Sequence, residues 1–233
     1  MVAVTGRSGP GPFFAVRTGP GEPRAEGFVP LAEVCAGRPS PALAGRVAEV
    51  GRRLGTPERR VAASLAQQGL AARLWSVALG PAALTGRMPD LSDGRLWWHP
   101  GRSTPDELWL PEDAPQVPAS RLREDVLLGH LVPLCAAVHA VSGVAPGLLW
   151  GNAASALAGT VRVLRSWCLG EGAQPAAAAR AVALAEELMA DPLLRDAGDL
   201  RRTGPGAPAY VRRSCCLYYR VPGGGLCGDC ALR

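Results

Sequence analysis

The chain has 233 residues, enough for one to two domains and a sizeable core. At 48% hydrophobic and 19% charged, with mean hydropathy +0.09, it is not a disordered chain; its seven Cys are too sparse for a disulfide-stapled mini-domain, and its 29 Gly and 22 Pro cluster instead of repeating as in collagen. The formal charge is +5, and all 25 basic side chains are Arg, a bias that GC-rich coding explains without a phosphate-binding surface, so no nucleic-acid partner is expected.

Residues 1–27 read as Gly/Pro-rich loops with a short strand near Phe13–Val16, and Phe28–Ala36 as a helical turn. Ser40-Pro41 is an N-cap followed by Pro at the first helical position; it opens a helix to about Leu54, closed by Gly55. Thr56-Pro57-Glu58 opens a second, to about Leu79, which Gly80-Pro81 is expected to end. Arg95–Trp98 and Leu108–Leu110 read as two short strands around a turn, and 111–118 as a linker. Helices are expected from about Ser120 to Val141, kinked at Pro133, from Pro146 to Cys168, and from Pro175 to about Ala190. Residues 198–208 read as a second linker, and the tail from Ala209 as extended. The Gly-Pro-Gly triplets at Gly9, Gly19 and Gly204 lack the strand-to-helix setting of a dinucleotide site.

Two features bear on location. The first fifteen residues contain no apolar run of signal-peptide type, so a cytoplasmic protein with reduced or metal-bound Cys is expected. Between Asp125 and Arg162 there is no charged side chain, yet His130, Pro133, His139, Ser142, Asn152 and Ser155 interrupt the stretch. It reads as two buried helices, with membrane contact at most peripheral.

The chemistry concentrates at the end of the chain. Cys215, Cys216, Cys227 and Cys230 form a C-C-x10-C-x2-C pattern, and Pro222 followed by three Gly can turn the chain so that the pairs meet. Four gathered thiolates read as an iron–sulfur or a zinc site, with free thiols as the bland reading. Adjacent Cys in a regular strand point to opposite faces, so binding one centre needs an irregular backbone, which a two-iron cluster tolerates more readily than a single zinc ion. From Arg195 onward seven Arg face three Asp, which accounts for most of the net charge. That basic end suits an anionic partner or cofactor, and Arg212, Arg213 and Arg220 flank the first pair. Cys35, Cys135 and Cys168 sit in apolar surroundings and read as structural.

The tail resembles that of the siderophore-iron reductase family typified by FhuF, and residues 68–90 and 148–160 resemble the middle of that family; residues 1–55 carry no such likeness. The resemblance implies a [2Fe–2S] cluster on Cys215, Cys216, Cys227 and Cys230, one-electron reduction of a ferric siderophore with release of Fe(II), and a cytoplasmic location; the basic tail suits an acidic electron donor such as a ferredoxin, with a flavin reductase as the other candidate. The alternatives are a zinc-stabilised helical scaffold, with Zn2+ on the same four Cys, and a siderophore-binding or biosynthesis relative without reductase activity.

The helix from Pro146 puts Asn152, Ser155, Gly159, Arg162 and Ser166 on one face. These are either a solvated back or a polar seam lining a siderophore cleft, so Asn152, Ser155 and Arg162, together with Arg73, are the candidate substrate contacts. His130 and His139 are half a turn out of phase and cannot share a metal on one straight helix. The expected architecture is mainly α with a small β hairpin: a helical body over 1–197 with the substrate cleft, and a linker and iron–sulfur segment over 198–233.

Overall fold

The computed structural model describes residues 9–36, 40–92, 94–201 and 209–233; the Gly-Pro-Gly at Gly204 and most of the expected 198–208 linker lie outside them. The fold is mainly helical with small sheets. β1 (Arg17–Gly19) and β2 (Val29–Pro30) precede a single helical turn, α1 (Leu31–Val34). The expected strand at Phe13–Val16 is instead a 3-10 turn over Pro12–Phe14, and of the helical stretch expected over Phe28–Ala36, Val29–Pro30 is strand and Leu31–Val34 is helix. α2 (Pro41–Leu54) starts on the Ser40 cap, whose hydroxyl accepts from the Leu43 N–H at 3.3 Å, and stops at Gly55 with φ 63°.

α3 (Arg59–Thr85) is the central strut, packed against α2 and the later helices. It passes straight through Gly80-Pro81 and ends at Gly86, φ 79°. Pro81 lacks one N–H, but Ala78, Leu79, Ala82 and Ala83 are fully buried around it, and that packing outweighs the lost hydrogen bond. Gly80 serves an approach instead of a break: a Cβ there would stand 2.8 Å from the Phe14 ring.

β3 (Arg87–Pro89) pairs with β6 (Gln116–Pro118), so the expected 111–118 linker contributes a strand. β4 (Trp97–Trp98) and β5 (Leu108–Pro111) form the expected antiparallel pair, extended by β2 and by β1 into the order β1-β5-β4-β2. Residues 119–142 coil continuously, with wide π-type turns over Arg123–Leu131 leading into α4 (Val132–Ser142). The loosened turns lie where Pro133 offers no donor to the ladder. This span is long and apolar enough to cross a membrane, at mean hydropathy 1.5, and half of that window is buried inside the protein. Gly143, φ 68°, separates it from α5 (Pro146–Leu169), and α6 (Pro175–Met189) packs on both α3 and α5.

β7 (Gly198–Arg201) and β8 (Ala209–Arg212) close the chain as a hairpin across the expected linker, with Gly198 opposite Arg212. A side chain at Gly198 would collide with Tyr210. Each histidine is spent on backbone: His130 on the Leu91 carbonyl at 2.6 Å, His139 on that of Val144 at 2.8 Å, and His99 Nδ1 accepts from the Gly101 and Arg102 N–H groups.

Candidate metal centre

β8 delivers the chain to the cysteines. Beyond Cys215-Cys216, Leu217 adopts a left-handed conformation, φ 69°, and a 3-10 turn follows over Tyr218–Arg220. This is the irregular backbone that adjacent Cys require. Leu217 N–H donates to Cys215 Sγ at 3.3 Å. Gly223, φ 73°, and Gly224, where any Cβ would strike the Tyr218 carbonyl, then reverse the chain. The second pair closes as a turn: Cys230 N–H donates to the Cys227 carbonyl at 3.2 Å, and Leu232 N–H donates to Cys230 Sγ at 3.4 Å.

The reversal brings the Cys227 thiol close enough to Cys216 to act on it electrostatically. Cys216 and Cys230 are buried, while Cys215 and Cys227 are half-exposed. Burial pushes the Cys216 thiol up to about 11, against the Tyr218 N–H and the Arg212 charge, which pull it down. Among the described residues no three His, Cys, Asp or Glu side chains converge tightly enough for a single metal ion. The donor set nonetheless suits a sulfur-ligated cluster: four thiols on two turns, two of them, Cys215 and Cys230, already receiving backbone N–H bonds that stabilise charge on sulfur.

The seam of α5 meets this segment. Asn152 is fully buried; its Nδ2 donates to the Ser64 carbonyl at 2.9 Å and to Ser64 Oγ at 3.0 Å. Ser64 Oγ donates in turn to the Cys216 carbonyl at 2.8 Å, and Asn152 Oδ1 accepts from Arg212 Nη2 at 2.6 Å. Ser155 Oγ donates to Asp229 Oδ2 at 2.6 Å, and Arg162 grips the same carboxylate at 2.9 and 3.1 Å. Arg220 pairs with Glu58, ahead of α3, at 2.9 and 3.0 Å. The polar face of α5 is therefore a docking seam for the cysteine segment. Arg73 stands apart from it: 1% exposed, it pairs with Glu107 at 2.6 Å and donates to the carbonyls of Pro12, Phe13, Ala15 and Pro105.

A pocket of about 430 Å³ opens beside the segment. Phe13, Phe14, Ala72 and Val163 give it apolar walls, and Cys227, Gly228 and Asp229 form one side of it. Ser155 and Arg162 line this pocket; Asn152 and Arg73 do not. The sequence reading did not include the Phe13–Phe14 wall or Asp229. Asp229 is the one acidic residue beyond Asp199, and in an otherwise basic tail that was the available signal.

Fold and site together define a helical protein with a C-terminal four-cysteine segment suited to a metal–sulfur centre. Residues 212–232, which contain all four Cys, match the family described as FhuF 2Fe-2S C-terminal domain, so the chain carries the FhuF-like C-terminal 2Fe–2S motif. Among curated proteins none matches the chain.

Proposed function

We propose that this protein reduces a ferric siderophore by one electron and so releases Fe(II), with a [2Fe–2S] cluster held by Cys215, Cys216, Cys227 and Cys230. The carrying observation is the pocket of about 430 Å³ whose wall includes Cys227: a ligand seated there lies against one of the four thiols. When bound, the cluster supplies a one-electron carrier between an external donor and the ligand. Hard oxygen ligands hold Fe(III) tightly and Fe(II) weakly, so reduction is release. The electron comes from a reduced carrier protein, a ferredoxin or a flavin reductase; no bond within the siderophore breaks.

The chain's own residues seat the ligand and fix the wall. Phe13, Phe14, Ala72 and Val163 exclude water from one side. Ser155 and Arg162 hold Asp229, and with it the loop that carries Cys227. The pocket's two charged side chains are paired with each other, and Gln68, Ser76 and Thr160 add uncharged polar groups. The seven free thiols suit a reducing compartment, and a cytoplasmic location is part of the proposal.

The test is anaerobic. The purified chain is expected to contain about two irons and two sulfides, the composition that the family's description names. Reduced with dithionite, desalted and mixed with a ferric siderophore, it should yield about one trapped Fe(II) per reduced chain. Val163→Trp, which narrows the pocket, should slow that yield with the iron content unchanged. One zinc and no visible band, or a full cluster that yields no Fe(II), would end the reading.

A further inference from the structure

Arg212 is 1% exposed, and its charge has no carboxylate partner among the described residues. Nη2 is spent on Asn152, while Nε and Nη1 reach no acceptor. The Asp229 carboxylate, in the residue whose carbonyl accepts from the Arg212 N–H, is already committed to Ser155 and Arg162. A guanidinium cannot shed its proton, so an unmatched one inside the fold is costly. Arg212 also lies between the two cysteine turns. Its N–H donates to the Asp229 carbonyl at 3.1 Å, within the second pair, and Asn152 and Ser64 link its side chain to the Cys216 carbonyl in the first. A Cβ on Gly151 would stand 3.2 Å from Nη2, so α5 leaves the guanidinium little room to withdraw.

We propose that Arg212 is the internal counter-ion and hydrogen-bond donor of the sulfur-ligated centre, and that it biases the centre toward its reduced, more negative state. The inference rests on the iron–sulfur reading above. Its neighbours do not share the role: Arg213 and Arg220 are half-exposed and pair with Asp199 and Glu58. A nearby cation favours whichever redox state carries more negative charge, so removing it should lower the potential.

The experiment is a potentiometric titration, followed by EPR, of the full chain purified anaerobically, with iron and sulfide counted in each sample. Arg212→Gln should favour the oxidised form at least tenfold more than wild type, a midpoint about 59 mV more negative for one electron. Arg213→Gln removes the same charge at the surface and should shift it by less than a third as much. Equal potentials in wild type and Arg212→Gln overturn the inference and leave the reductase reading standing. Wild type without iron and sulfide overturns both. If Arg212→Gln folds but retains no centre, Arg212→Lys decides: a retained centre supports the counter-ion role, and an empty chain shows that a charge at this position does not hold the centre and overturns it.

Discussion

Cys35 and Cys135 are pushed up to about 12 by burial, and burial raises Cys168 as well. At pH 8 the Cys35 and Cys135 thiols are thiolate to about one part in ten thousand, and burial keeps Cys168 on the same protonated side. Cys215 and Cys227 are half-exposed. In the native, cluster-free chain, iodoacetamide at pH 8 should label Cys215 and Cys227 first, and Cys35, Cys135 and Cys168 only after denaturation, as peptide mass mapping would show. Labelling of Cys35 before Cys215 would contradict this. Asp229 poses a sharper question, because it ties the second cysteine turn to α5. Asp229→Asn keeps the shape and loses the charge. A charge-assisted hydrogen bond contributes about 1.5–3 kcal/mol, and Arg162, 36% exposed, regains part of that in water. The expected outcome is local: faster hydrogen exchange at the Arg212 and Cys230 amides, with the α3 amides unchanged.

At the scale of elements, α5 shows how a face acquires its purpose. Its polar positions were legible in sequence because Asn152, Ser155 and Arg162 follow helical spacing. What they face was not legible: helical period reports that a side is polar, and the cysteine segment that covers it lies some sixty residues further along. The adjacent Cys pair, by contrast, announced an irregular backbone, and Leu217 supplies it. α3 shows the opposite lesson. Gly80-Pro81 carries a strong local stop signal that burial of its neighbours Ala78, Leu79, Ala82 and Ala83 overrides, a competition decided by contacts remote in sequence. The strands β6 and β7 were read as linkers because each is short and rich in Pro, Gly or charge, and only their partners β3 and β8 make them strands. Gly151 tests the seam. A Cβ there would collide with Ser214 Oγ, whereas the next atom of that side chain, Ser214 Cβ, stands at 3.6 Å. Gly151→Ala should therefore loosen the segment and cost about 1–3 kcal/mol, seen as lower iron retention after dilution into chelator. Adding Ser214→Ala should restore most of it; a double variant as leaky as the single would show that the strain lies elsewhere.

At the scale of the molecule, Arg73 joins three regions: the N-terminal loop through the Pro12, Phe13 and Ala15 carbonyls, α3 on which it sits, and the loop before β5 through Glu107 and Pro105. Breaking a buried pair by removing one partner costs about 3–5 kcal/mol. Arg73→Met should therefore lower the calorimetric midpoint by roughly 10 °C for a chain of this size, because 1 kcal/mol is worth about 2–4 °C. A change under about 3 °C would remove Arg73 from that role. The mainly helical architecture and the cysteine cluster were open to sequence reading, since period and spacing are local. The pocket was not, because its walls come from residues 10–14, α3, α5 and the cysteine loop, which only tertiary packing brings together. Cys227-Gly228-Asp229 belongs at once to the pocket wall, the thiol set and the tie to α5. Under the proposed reductase reading, evolutionary change in ligand preference is therefore channelled: a change in these three residues would disturb the thiol set as well as the pocket, so adaptation to a new chelate would accumulate on the opposite wall, at Phe13, Ala72 and Val163.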